Sequence, residues 1–253
     1  MLDRRIGAQL YTVREQCKDA KGLDETLARL AAIGYKTVQI SAVGPISASE
    51  IRSICASHGM EIICTHKSLD DYENKIDEMI AFHKELGCSI PGLGSMFSLC
   101  EVKTPGEARE QIERLNRIAR RLAEEGMTFC YHNHAFEFTK IEGRYLMDQM
   151  LEYGEFGFIL DVYWLAYAGQ DPAEWIRKIG PRTKVIHFKD LKMKGNTSVF
   201  GEVMEGKLNW PKIIEASDEA GILYAMVEQD TCDGDPVDSM AVSYRNLSRA
   251  GFY

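Results

Sequence analysis

The run Phe129-Cys130-Tyr131-His132-Asn133-His134-Ala135-Phe136-Glu137-Phe138 begins as an apolar, strand-like segment after Gly126. It ends in a packet of metal-binding groups: two imidazoles, an amide and a carboxylate. The same design recurs three times downstream. Phe156-Gly157-Phe158-Ile159-Leu160-Asp161, Lys184-Val185-Ile186-His187 and Leu223-Tyr224-Ala225-Met226-Val227-Glu228 are each an apolar run closed by one polar residue. Strands that end in His, Asp or Glu describe a barrel whose rim converges on a divalent cation.

Working outward, strand-like runs alternate with helical stretches eight times. Strands are expected at Arg5–Tyr11, Lys36–Ile40, Glu61–Thr65, Ser89–Leu93 and Met127–His132, and at the runs ending in Asp161, His187 and Glu228. Between them, helical periodicity covers Leu23–Ile33, Asp71–Leu86, Pro105–Glu125 and Tyr145–Tyr153. Ser47 with Glu50 and Thr104 before Pro105 are helix-start signals. Further helices start near Pro172 and Trp210, and a last one spans Val237–Ala250. The stretch from Asp190 to Lys207, rich in Lys and Gly, reads as a loop.

Such alternation requires parallel strands joined by crossover helices. Eight units in 253 residues make a single-domain α/β protein, a (β/α)8 TIM barrel, with the active site at the C-terminal strand ends. No GxGxxG follows the first strand, which counts against a dinucleotide-binding open sheet. Lys plus Arg number 30 against 38 Asp plus Glu, a net charge of -8 that disfavours non-specific nucleic-acid binding. Seven cysteines without a CxxC pair suit reduced thiols, and no run is long enough to span a membrane. The N-terminus enters a strand with no apolar signal segment, so a cytoplasmic protein is expected.

A divalent ion prefers carboxylate oxygen and imidazole nitrogen. Asp161, His187 and Glu228 stand at equivalent places in three successive strand–helix units, an arrangement that separate capping or core roles do not explain.

These residues carry a resemblance. Tyr131-His132-Asn133-His134 with Glu137, Leu160-Asp161-Val162, His187-Phe188-Lys189-Asp190, Glu205-Gly206-Lys207-Leu208-Asn209-Trp210 and Val227-Glu228 resemble the xylose-isomerase-like barrel family of sugar isomerases and epimerases. That group also includes endonuclease IV and inosose dehydratase. The resemblance implies one divalent ion, manganese first, with magnesium, cobalt or zinc as alternatives, held by four side chains. Asp161, His187 and Glu228 match three of them. By count from Gly126 the fourth is His132, but Glu137 restores a carboxylate if the loop folds back, and Glu137 is preferred.

The remaining strand ends supply substrate contacts: Gln9 and Tyr11 after the first strand, His66 after the third, Trp164 (with Tyr163) after Asp161, and Lys189. Gln39 stands where many relatives carry Glu, which argues against a second ion. The expected chemistry is proton removal beside a carbonyl through an enediolate, with Glu228 as base and Glu137 or His134 returning the proton. Return to the opposite face epimerises and return to the neighbouring carbon isomerises. The rival outcome is a lyase or hydrolase that expels a β leaving group, as in inosose dehydration or 3-keto-glycoside cleavage. An endonuclease IV-like nuclease and a non-catalytic sugar-binding barrel rank lower. The expected partner is a small sugar, without nucleic acid or membrane, and a homo-oligomer is compatible with the chain.

Overall fold

The computed structural model describes residues 2–253. Eight parallel strands form the barrel: β1 Ile6–Gln9, β2 Thr37–Ser41, β3 Glu61–His66, β4 Gly92–Leu93, β5 Cys130–His132, β6 Gly157–Asp161, β7 Thr183–Phe188 and β8 Tyr224–Val227. Their order in the sheet is β3-β2-β1-β8-β7-β6-β5-β4. A parallel bridge between Lys67 and Leu93 joins the two ends. The seam is short: Thr65 N–H donates to Ile90 O at 3.3 Å and Lys67 N–H to Gly92 O at 2.9 Å.

Strand periodicity decides what faces the barrel axis. Cys64, Cys130, Ile159, Val185 and Met226 form one buried apolar cluster. Two residues on from each, and therefore on the same face, stand His66, His132, Asp161, His187 and Glu228. The inner face is thus apolar below and polar at the C-terminal rim. Gly7 makes this layer close, because a Cβ there would lie 2.2 Å from Met226 Sδ. The larger core lies between the strands and the helical ring, with Leu23, Leu27, Leu30, Ile112, Leu115, Leu122, Phe158 and Phe188 all buried.

The helices start where the chain supplies caps. Asp19 accepts from Gly22 N–H at 2.8 Å to begin Ala20–Ile33. Thr104 and Glu107 form a reciprocal capping box at the head of Pro105–Ala123. Three expectations need correction. The helix over 71–86 is broken into Leu69–Asn74 and Ile76–Leu86 at Lys75, whose backbone leaves the helical region (φ −137°, ψ 37°). The fourth and fifth strands are shorter than expected. The stretch after Asp190 is an antiparallel hairpin, Asp190–Lys194 against Thr197–Gly201, rather than a loop. Among the described residues, no helix is long and apolar enough to cross a membrane.

Candidate metal centre and substrate pocket

The register brings the rim residues together: Asp161 pairs with His187, and Met226, two residues before Glu228, also pairs with His187. One ligand atom each from His132, Asp161, His187 and Glu228 falls within 4.8 Å of all the others, and all four side chains are buried.

Hydrogen bonds behind these residues set their orientation. His132 Nδ1 lies 3.1 Å from Gly94 O, a carbonyl that only accepts, so Nδ1 carries the proton. Nε2 then presents a lone pair 3.5 Å from Asp161 Oδ2 and has no hydrogen-bond partner. His187 Nε2 donates to Gln39 Oε1 at 2.7 Å, while its Nδ1 faces Glu228 Oε2 at 3.0 Å and Asp161 Oδ2 at 3.7 Å. Asp161 is held by Asn133, which accepts its N–H at 2.9 Å, and its Oδ1 caps the following helix at Trp164 N. Acceptor atoms facing one another in a buried space call for a positive charge between them. The donor set therefore fits a divalent cation, with the outer hydrogen bonds that such ligands ordinarily have.

Lys189 supplies positive charge at the same place. Its buried Nζ lies 3.0 Å from Asp161 Oδ2, 2.6 Å from Glu228 Oε2 and 2.6 Å from Asp230 Oδ1. Burial works to raise the Glu228 carboxyl, but Lys189 and then His187 outweigh it and hold it below the usual carboxylate range. Asp161 is held well below that range in the same way, against burial and chiefly by Lys189. Asp230 goes the other way, raised to about 6 by burial and by Glu228. Burial lowers His66 and His132, and pushes His134 down to about 3, so these imidazoles are neutral at neutral pH.

A pocket of about 430 Å³ opens above the cluster. It is lined by Tyr11, His66, Phe97, His132, His134, Trp164, Lys189, Glu228 and Asp230, among others. Tyr11, His66, His134, Trp164 and Lys189 are thus brought together at the pocket. Gln9 is not: it is fully buried behind the wall, with Oε1 accepting from Tyr11 N–H and Nε2 3.5 Å from His66 Nδ1. Tyr163 is buried against Phe200, 4.4 Å between ring centroids.

Glu137 is the main displacement. Its loop turns into the short 3-10 helix Phe136–Phe138, away from the cluster. Oε1 accepts from Tyr131 Oη at 2.5 Å and Oε2 from His134 N–H at 2.8 Å. The carboxyl is fully buried, and burial raises it to about 7. It braces the His134 loop and lies outside the group of four, where His132 stands instead.

Sequence reading missed Asp230 and the part played by Gln39. Asp230 lies two residues beyond Glu228, so the strand period carried a signal for it; Gln39 had none, because its partner is a residue distant in the chain. Asp190 was read only as motif. Its carboxylate accepts from Leu191 N, Gly206 N, Leu208 N and Trp210 Nε1 at 2.7, 3.0, 3.3 and 2.6 Å. The Glu205–Trp210 stretch is therefore a clamp that fixes the chain beside Lys189. Gly206 is required there, since a Cβ would lie 2.3 Å from Asp190 Oδ1.

A family model described as xylose isomerase-like TIM barrel matches residues 27–239, and the chain belongs to that family. Inosose dehydratase from Clostridium perfringens (strain 13 / Type A) is 24% identical over 191 residues, which cover 66% of this chain and 64% of that relative's length. A sugar phosphate isomerase/epimerase from Parabacteroides distasonis superposes with TM-score 0.81 at 23% identity, covering 99% of this chain and 95% of that one. A xylose isomerase-like TIM barrel protein from Mycobacterium smegmatis, in complex with magnesium, gives TM-score 0.72 at 15% identity, with 98% of each chain covered.

Proposed function

We propose that this member of the xylose isomerase-like barrel family is a divalent-metal-dependent enzyme that moves a proton at a carbon beside a carbonyl in a sugar. The observation that carries the reading is the cluster His132–Asp161–His187–Glu228, whose ligand atoms lie within 4.8 Å of one another at a pocket lined by His132, Glu228 and other hydrogen-bonding groups. We assign His132, rather than Glu137, as the fourth ligand. A divalent cation at these residues would supply a Lewis acid that stabilises negative charge developing on a carbonyl oxygen.

The chain's own groups account for the proton. Glu228 is kept ionised by Lys189 and His187, lines the pocket, and is the base. Lys189 holds Asp161, Glu228 and Asp230 in place, its three N–H donors each directed at one carboxylate. On the facing wall, neutral His134 has an unpartnered Nδ1 and can exchange a proton with a substrate hydroxyl or carbon. With Glu137 turned into the loop, His134 replaces it as the second proton-transfer group. Delivery to the opposite face epimerises the carbon, and delivery to its neighbour isomerises the sugar.

Elimination is the second reading, supported by the histidine wall His66–His134, which offers hydrogen bonds to a departing hydroxyl, and by the similarity to inosose dehydratase. One experiment tests both. The manganese-loaded protein is incubated in D₂O with a panel of keto-sugars and 3-keto-glycosides and followed by NMR. Deuterium uptake at a carbon beside the carbonyl is expected, and the product separates isomerisation from elimination. Absence of uptake across the panel with metal bound overturns the reading.

A further inference from the structure

The pocket has two zones. Its floor carries His132, Glu228, Lys189 and Asp230, while its mouth is aromatic. Phe97 lines the pocket yet is 72% exposed. Its ring centroid lies 6.3 Å from that of His134 and 6.0 Å from that of Phe136. His134 in turn stacks on Phe136 (5.4 Å, 8° between planes) and lies 5.2 Å from Trp164 and 4.8 Å from His132. A continuous aromatic band thus runs from the cluster to solvent.

Polar atoms are set among these faces. Trp164 Nε1, Ser95 Oγ, His66 Nε2 and His134 Nδ1 are buried without a hydrogen-bond partner, and all four residues line the pocket. Flat apolar faces interleaved with donors match a sugar ring, which shows C–H bonds on its face and hydroxyls at its edge.

Charge in the same space limits what that ring carries. Of the two lysines lining the pocket, Lys189 is engaged by three carboxylates and Lys67 Nζ sits 3.9 Å from the centre of the Phe82 ring. Among the described residues no arginine lines the pocket, while Glu228 and Asp230 do. A phosphate here would meet carboxylates without the guanidinium fork that usually receives it.

We infer that the substrate is an uncharged glycoside, with the reacting ring at the cluster and a second ring stacked on Phe97. The inference rests on the reaction class proposed above and narrows it.

The test compares four probes with the manganese-loaded protein: a free 3-keto-aldohexose, its methyl glycoside, a two-ring 3-keto-glycoside that keeps the ring carbonyl, and the 6-phosphate of the free sugar. D₂O exchange and kcat/KM are measured for each. The two-ring probe is expected to exceed the free sugar by roughly tenfold, the scale of one aromatic stack, with the phosphate below both. Phe97→Ala should collapse the ratio between two-ring and free sugar through KM, and Phe97→Trp should restore it. Exchange that favours the phosphate, or a two-ring preference that survives Phe97→Ala, overturns the subsite and leaves the reaction class standing. A Phe97→Ala change in sedimentation mass without a change in that ratio assigns the face to self-association and equally overturns it. Exchange with none of the probes removes the reaction class, and the subsite with it.

Discussion

The two halves of the barrel rim differ in charge. Strands β5 to β8 end in His132, Asp161, His187 and Glu228, with Lys189 and Asp230 just beyond. On β1 to β3 the rim residues are Gln9, Gln39 and His66, none of them a carboxylate, with Lys67 just beyond, and β4 leads into Gly94. Carboxylates that would repel across a complete ring are gathered on one side, where Lys189 compensates them. The other side supplies amides and imidazoles that orient by hydrogen bonding. Across the rim the halves meet where Gln39 accepts from His187 and Gly94 O accepts from His132. A rim built this way offers one candidate ion site among the described residues, with its ligands on the second half and neutral hydrogen-bonding groups on the first.

The largest expected effect comes from breaking the charged half directly. Asp161→Ala and His187→Ala should each lower metal affinity by more than the ~10–100-fold typical of losing an outer partner, and abolish D₂O exchange together with it. Elemental analysis of the purified variants checks this, and either variant retaining a full metal complement with no activity would separate the two roles. Glu228→Gln keeps an oxygen but loses the base. At saturating manganese, substrate proton exchange should fall by about 10²–10⁴-fold while some metal stays bound. Exchange at the wild-type rate would pass the base role to His134.

Lys189→Ala should retain metal, because a charged amine has no lone pair to give. Its loss leaves Asp161, Glu228 and Asp230 without a compensating charge, so the apoprotein should lose on the order of 3–5 kcal/mol, recovered on adding manganese. Thermal melts with and without the ion measure this. Gln39→Leu probes the link between the halves. It should weaken metal binding by roughly 10–100-fold while leaving KM at saturating metal little changed, a split that calorimetry and kinetics resolve.

The smallest effect is the pH response of Glu137. Its folded-state pKa, about 7, lies above the 4.5 of the free side chain, so the folded state holds the proton more tightly. Its contribution is therefore present at acid pH and is lost as pH rises from 4.5 through about 7. The wild-type Tm should fall by roughly several degrees relative to Glu137→Gln between about pH 5 and about pH 8. Parallel curves would contradict a buried bracing carboxyl.

Most of this rim was legible because period-two alternation projects one residue per strand end. Asp161, His187 and Glu228 follow from that rule together with the order of the strands, and so does His132. Glu137 was misjudged because five residues of separation say nothing about which way a loop turns; Tyr131 and the backbone of His134 decide it. The hairpin after Asp190 was hidden because lysine and glycine spell a loop until the two arms pair with each other. Gln9 illustrates a subtler error. The residue stands one on from the Ala8–Val227 pair, level with Glu228, but its amide is taken up by Tyr11 N–H and His66 and stays buried behind the pocket wall.

The β3–β4 seam has a kinetic meaning. A barrel has no free edge, yet its hoop is uneven where two-residue β4 meets β3 through the Thr65 and Lys67 amides. Gly92 permits that approach, since a Cβ would lie 2.2 Å from Thr65 O. Local opening should start where fewest bonds must break at once, so amide hydrogens at 65–67 and 92–94 are the ones to exchange first among the strands. Gly94, Ser95 and Phe97 of the pocket wall follow directly on this seam, so exchange at 92–94 should report on the anchoring of the pocket mouth as well as on the hoop.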